Sequence, residues 1–313
     1  MPLTLSQRFI RYFYIPVLFF GVNGVGLWTI FSDLNHGEKT AILLSLIAFS
    51  TAFTFACERL LPHNASWNKS LGDAGRDVKH FFFNEVLSLG PGLVLPFFVV
   101  AAIEVQEGIW PHEWHLMLQI LLVFLIFDLI QNLFHWTAHV WPPLWRLHAV
   151  HHSVERMYGF NAVLKHPVYQ IFSSLAAVVP LTLLGMPKVF LLALGFVAVI
   201  QLYIQHSNVN YTTGWGKLIL STSEVHRFHH LKGTAGDVNF AMYFSFFDHL
   251  FGNAYYDTRK LESKDIGLLY KDYPVSWWGQ MKAPFKTWYK DEAHPSLDGV
   301  VELKSKPSPV INS

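Results

Sequence analysis

The stretch LMLQILLVFLIFDLIQNLFHWTAHVWPPLWRLHAVHH, residues 116–152, starts as an apolar run and ends on a density of histidine that such runs do not carry. Residues 116–134 approach the ~20 apolar residues that a helix needs to cross the hydrocarbon core of a bilayer. Directly after them, five histidines fall between His135 and His152. An apolar helix that stops at a bank of imidazoles places that bank at a membrane surface.

The composition agrees with a membrane setting. Of the 313 residues, 52% are hydrophobic and only 14% charged, with a mean hydropathy of +0.29. Soluble domains carry about 25% charged residues, so this chain lacks the charge to coat an aqueous surface. Six apolar runs are long enough to be membrane helices: 13–31, 40–57, 84–103, 116–134, 168–185 and 188–205. Gly185-Met186-Pro187 separates the last two and predicts a tight helical hairpin. No small-residue cleavage site follows the first run, so it reads as a retained anchor. Gly21, Gly24 and Gly26 miss the dinucleotide-binding spacing and sit within an apolar run, which points to close helix packing.

Loop charges set the orientation. Arg8 and Arg11 precede the first run, and the 58–82 loop carries Arg59, Lys69, Arg76 and Lys79. The 104–115 loop has three glutamates and neither lysine nor arginine. A cytoplasmic N-terminus therefore puts the basic loop and the C-terminus in the cytoplasm. The expected fold is an all-α integral membrane protein of about six membrane helices, with a cytoplasmic helical cap holding a histidine-rich dimetal site. Residues 1–57 form an N-terminal anchor, 58–257 the catalytic domain, and 258–313 a cytoplasmic or interfacial extension whose last residues are disordered. The net charge of +1, without a basic block, gives no sign of nucleic acid.

Cys57, alone of its type, rules out a cysteine-ligated metal cluster and an intrachain disulfide. Histidine, with 17 copies, is the abundant ligand. His135 and His139 are spaced i, i+4 and share a helical face. His148, His151 and His152 follow as HAVHH, His206 ends the sixth run, and His226, His229 and His230 repeat the pattern as HRFHH. The topology brings all nine to one membrane surface. So many close imidazoles cannot all be protonated, because like charges suppress one another. Neutral imidazoles are metal ligands, and nine exceed the capacity of one ion, so two metals are implied. Nitrogen donors suit Zn, Cu, Fe and Ni alike. A site facing lipid chains, whose unactivated C–H bonds offer nothing to hydrolyse, favours two redox-active irons using O2 as co-substrate; a purified sample could carry zinc in their place.

The boxes HWTAH, HAVHHSVE and HRFHH, with ERLLP upstream and FFDHLFG downstream, resemble the sterol desaturase/fatty acid hydroxylase superfamily over residues 57–257. The likeness is strongest to a bacterial branch that is also similar to alkylglycerol monooxygenase. It implies that the eight box histidines bind iron, with His206 matching a further helix-end histidine. Many members carry Arg after the first histidine; here Trp136 stands there, so no role passes over for that arginine. Asp128, seven residues before His135, is a candidate to orient a ligand imidazole. Glu155 and Asn239 are candidate supporting groups, and His166 and His249 read as solvent-facing imidazoles, with a tenth metal ligand as the alternative for either.

The expected activity is hydroxylation of an unactivated C–H bond of a fatty acyl, sterol or ether lipid, with desaturation as the alternative outcome at the same site. Electrons would come from a separate reductase, ferredoxin, cytochrome b5-like protein or pterin, since the chain has no haem or dinucleotide motif. A bacterial inner membrane, rather than the endoplasmic reticulum, is the expected location, with the active site on the cytoplasmic face. A metal-ion transporter is the rival from another class. It would need ionisable residues along a mid-membrane path, where Asp128 is the main acid. A zinc hydrolase would show HExxH or its reverse, and neither occurs.

Overall fold

The structure, a computed structural model, describes residues 2–86, 102, 108–270 and 272–286. These residues form helices joined by loops, with isolated β-bridges but no strand among them. Four helices are long and apolar enough to cross a membrane: α1 (Leu5–Phe31), α2 (His36–Leu60), α4 (Leu116–Val140) and α7 (Val189–His206). Between α2 and α4 lies the short α3 (Ala74–His80). The expected span at 84–103 lies almost wholly outside the described residues. The expected span at 168–185 is α6 (Pro167–Leu183), whose 17 residues reach about 26 Å at 1.5 Å per residue, just short of the ~30 Å core.

Local chemistry sets the ends of these helices. Thr4 with Gln7, and Asn35 with Glu38, form reciprocal capping boxes at the starts of α1 and α2. Pro16 interrupts α1 and opens a π-helical stretch, Pro16–Val22, since its ring cannot sit in an ordinary turn and its nitrogen donates nothing. Trp141, which precedes Pro142-Pro143, is forced into an extended conformation and ends α4. The prolines then start α5 (Pro142–His152), where their missing N–H groups cost nothing. Gly185 takes a φ of +86° at the predicted hairpin, where an added Cβ would lie 2.9 Å from the Cα of Gly108.

Packing separates the core from the rim. Of the α7 span, 67% is buried, against 22% of α2, so α7 is the central post and α2 a peripheral one. Gly26 lets α1 approach α7 so closely that a Cβ there would lie 2.0 Å from the Phe196 ring, whereas Gly24 meets nothing within 4 Å. Close packing thus holds for Gly26 and not for Gly24.

Contacts fix which ends lie together. Gln7 donates to Leu60 O, Thr212 N–H to Arg11 O, and Asn210 N–H to Leu61 O. These join the start of α1 with the ends of α2 and α7. At the other end, Lys39 Nζ donates to Ile30 O, and Trp110 and Phe31 both pack on Phe190. The ends of α2, α4 and α7 and the starts of α1 and α6 therefore share one side, and the histidines are there.

Candidate metal centre

Four segments present the nine histidines. His135 and His139 leave the last turns of α4, and α5 folds back from the Trp-Pro-Pro break with His148, His151 and His152. His206 closes α7, and α8 (Ser223–His229), followed by His230, supplies the rest. The buried Arg227 ties α8 down by donating to Ser207 O, Val209 O and Ser223 Oγ.

The nine imidazoles divide into two sets. His135, His139, His148, His152 and His229 form one; His151, His206, His226 and His230 form the other; within each set the ligand nitrogens lie within 4.8 Å of one another. Each HxxHH box is shared. Its i, i+4 pair serves one set and its remaining histidine the other: His148 and His152 against His151, then His226 and His230 against His229. The sets adjoin, with His152 and His230 ring centres 4.8 Å apart.

The nitrogen contacts fit metal coordination. Two donors each about 2.1 Å from one ion, at angles between square and tetrahedral, lie roughly 3.0–3.4 Å apart. The Nε2 atoms of His135 and His148 are 2.9 Å apart, and those of His148 and His152 3.1 Å. In the second set the spacings are 3.2 Å for His151–His206 and 3.3 Å for His226–His230.

Protonation makes the case firmer. His151 Nδ1–H donates to Leu164 O and His206 Nδ1–H to Leu202 O, so in both neutral rings Nε2 carries a bare lone pair. Those two lone pairs face each other, an arrangement that needs a cation between them. In the first set His135 Nδ1–H donates to Phe240 O and His229 Nδ1–H to Val238 O, and the buried His229 Nε2 has no hydrogen-bond partner. Burial first, and neighbouring histidines second, push His148, His151, His152, His226, His229 and His230 well below the usual imidazole pKa. They are neutral at pH 7, as ligands must be. The residues present fit a pair of metal ions.

One loop orients the first set. His139 Nδ1–H donates to Asp237 Oδ1 at 2.9 Å, so Asp237, Val238 and Phe240 each hold one ligand imidazole. Asn239 between them adopts φ 56°, the left-handed turn that an Asn tolerates, and its side chain bonds Val225 O and both backbone groups of Tyr255. Two buried carboxylates then clamp the following backbone. Asp248 Oδ1 accepts from Phe240 N–H, Ala241 N–H and Asn132 Nδ2. Asp128 accepts from the N–H groups of Met242, Tyr243 and Phe244. Asp128 was expected to meet a ligand imidazole; its bonds run to this loop instead, one step further out. Asp237, Asp248 and Asn132 were not singled out from the sequence, although Asp237 stands in the same GDVNF as Asn239.

Other expectations land elsewhere. Glu155 is exposed and lines a cleft with Asp73, Arg76 and Ser153, not a cavity that touches the histidines. His166 is buried rather than solvent-facing: its Nδ1 accepts from Val168 N–H at the start of α6 and its Nε2–H donates to Met281 O. His249 is exposed and paired with the Tyr256 hydroxyl. Trp136 points outward, 44% exposed. Glu58 of the ERLLP segment accepts from Gly159 N–H and Asn208 N–H, fastening the end of α2 to the loops that follow α5 and α7.

Residues 120–253 match the profile of a family described as Fatty acid hydroxylase. The chain is similar to an ornithine lipid hydroxylase of Rhizobium tropici, 30% identical over 245 residues that cover 76% of this chain and 72% of that one. It is also 32% identical over 198 residues to an alkylglycerol monooxygenase of Danio rerio, covering 58% of this chain and 43% of the relative. The alkylglycerol monooxygenase of Homo sapiens shares 35% over 120 residues, 38% of this chain and 26% of the relative. No solved structure matches.

Proposed function

The chain belongs to the fatty acid hydroxylase family, and from that membership we propose that it is a membrane lipid hydroxylase whose two histidine sets each hold one iron ion. The observation that carries the reading is the pair of opposed lone pairs on His151 and His206, set beside the five-histidine group. Bound iron would supply the activation of O2, for the overall change R–H + O2 + 2 e⁻ + 2 H⁺ → R–OH + H2O. The chain's own part is to keep nine imidazoles neutral and aimed, and to exclude water around them. Asp237, and Asn239, Asp248 and Asp128 through the 237–244 loop, act as positioning groups.

The electrons come from a separate donor, a reductase with ferredoxin, a cytochrome b5-like protein or a pterin. Two activities named among the relatives, on ornithine lipid and on alkylglycerol, support a polar membrane lipid as substrate. Residues 58–257 form the catalytic unit, a division supported by the bonds of Glu58 to Gly159 and Asn208. The side that carries the histidines also carries Arg8, Arg11, Arg59, Lys69, Arg76 and Lys79. That bias supports a cytoplasmic active site, in a bacterial inner membrane.

The test is lipid mass spectrometry of expressing cells grown under 18O2, alongside metal analysis of the purified protein and the His229→Ala variant. The expected outcome is one 18O in a lipid product made only by the intact protein, and two irons per chain. A product that loses two hydrogens and gains no label would make the enzyme a desaturase. Activity that persists without O2, or in His229→Ala, would overturn the reading.

A further inference from the structure

A cavity of about 70 Å³ reaches both histidine sets, touching His135 and His148 of the first and His151, His206 and His226 of the second. A smaller cavity touches His139, His152 and His229 of the first set alone. The larger chamber therefore gives one reactant access to both ions. Its volume is far below the ~300 Å³ at which pockets for whole small ligands begin. It admits a small polar group and a few carbons, and the rest of a lipid must lie outside.

Several polar groups on the chamber wall are already engaged. Ser173 Oγ donates to Gln131 Oε1 and Gln131 Nε2 to Ser173 O, so these groups satisfy each other. Lys165 makes an interaction of its own. Two wall residues differ. Tyr169 is buried in the first turn of α6, where its ring stacks on that of His148 with centroids 4.6 Å apart. Its hydroxyl bonds to no group among the described residues. Gln205 is buried near the end of α7, and its Nε2 donates to Ser221 Oγ and Ala241 O. A carbonyl such as Ala241 O only accepts, so the amide has one orientation. Its Oε1 is left without a partner among the described residues. A buried hydroxyl or amide oxygen that makes no hydrogen bond is costly, so both groups take their partners from what the chamber holds. Tyr169 offers an O–H and Gln205 an acceptor lone pair. The matching ligand is a neutral group that accepts and donates at once, a hydroxyl or a secondary amide. The depth agrees, since α6 enters the membrane at Pro167 and Tyr169 lies where the polar part of a lipid meets its chains.

We propose that Tyr169 and Gln205 form a two-point site for a hydroxyl or secondary amide of the substrate lipid. The Tyr169 O–H donates to that group and Gln205 Oε1 accepts from it, so the carbon presented to the metals lies within a few bonds of it. The inference rests on the lipid-hydroxylase reading for its reaction, but the binding site can be tested without turnover. Full-length protein in nanodiscs, kept free of O2, is titrated with hexadecanol, with N-methylpalmitamide and with hexadecyl methyl ether. Bound probe is counted by native mass spectrometry, and affinity is expressed as mole fraction in the bilayer. The ether accepts a hydrogen bond but cannot donate one. Two bonds against one predict that at least one of the alcohol and the amide binds about 10-fold tighter than the ether. Which of them leads identifies the group. Tyr169→Phe keeps the ring on His148 and removes only the O–H, so all three probes should weaken by about 5-fold. Gln205→Met should bring the alcohol and the amide down to the level of the ether. An ether bound as tightly as both donors by the intact protein overturns the proposal. So does alcohol and amide binding left unchanged by Tyr169→Phe, or a preference over the ether that survives in Gln205→Met. The comparison in the unmutated protein decides the matter even if a variant fails to fold. The 18O2 experiment separates the two readings. A preference for the alcohol or the amide without any labelled lipid leaves the two-point site standing and removes the hydroxylase. Label placed far along an unsubstituted acyl chain removes the two-point site and leaves the hydroxylase.

Discussion

A histidine becomes a dependable ligand when its second nitrogen is spoken for, because that bond fixes both the tautomer and the ring plane. His135, His151, His206 and His229 satisfy this with backbone carbonyls and His139 with the Asp237 carboxylate. The carboxylate can be removed by mutation and the carbonyls cannot. Asp237→Ala should weaken retention of one ion by about 10–100-fold, the usual cost of losing such a partner. Asp237→Asn, which still offers an acceptor oxygen, should recover most of it. Metal-to-protein ratios measured during dialysis against graded chelator check this: the ratio should fall from two toward one in the alanine variant before the unmutated protein changes. Parallel loss of both ions, or equal loss in Asn and Ala, would contradict the assignment. The box histidines were legible in the sequence because their spacing and number are improbable in an apolar chain. Their partners were not, since Val238 and Phe240 act through carbonyl oxygens that every residue possesses. Asp128 was legible as an intramembrane acid, but not its target, which lies 114 residues away.

The helices place these ligands in space. Their existence follows from apolar length, and their ends from chemistry that the sequence displays: Thr4, Asn35 and the Trp-Pro-Pro break. The sharing of each HxxHH box between two ions was not legible, because it depends on how α5 and α8 are rotated against α4 and α7. The glycine-rich stretch of α1 shows the same limit. Gly24 and Gly26 look alike in sequence, yet only Gly26 lies under the Phe196 ring. Gly26→Ala must push that ring out of a packed core and should destabilise the protein by about 1–3 kcal/mol. Gly24→Ala has open space and should be neutral or slightly stabilising, since alanine favours the helix. Thermal midpoints of the two variants in one detergent decide it, and equal shifts would mean that α1 and α7 do not meet as described. A second contrast lies beside the metal centre. A Cβ at Gly236 would lie 2.5 Å from the carbonyl oxygens of both His229 and Leu231. Gly236→Ala should therefore disturb the turn that carries His229 and lower metal content together with the midpoint.

At the scale of the whole molecule, the histidine centre is a stability device with a definite pH dependence. Six histidines outside the membrane helices are held neutral in the fold, mainly by burial. In the unfolded chain each takes up a proton near pH 6.5. A group whose folded pKa is depressed stabilises the fold above its unfolded pKa, and that contribution is lost as the pH falls below it. Six such groups together can remove up to about 8 kcal/mol per pH unit below 6.5, comparable with the entire stability of an ordinary domain. Asp248, raised by burial to about 6, and Asp77, also raised by burial, work in the opposite direction as the pH falls, but they are two groups against six. Histidine therefore wins, and protein stripped with chelator should lose most of its thermal stability between pH 7.5 and 5.5. Metal-loaded protein should lose its ions over the same window, since protons compete for the same nitrogens. The stripped sample separates the two effects, because there the proton has no metal to displace. A midpoint that stays flat from pH 7.5 to 5.5 in the stripped protein would mean that the nine imidazoles reach water, and the dry, neutral site on which the metal reading depends would not exist.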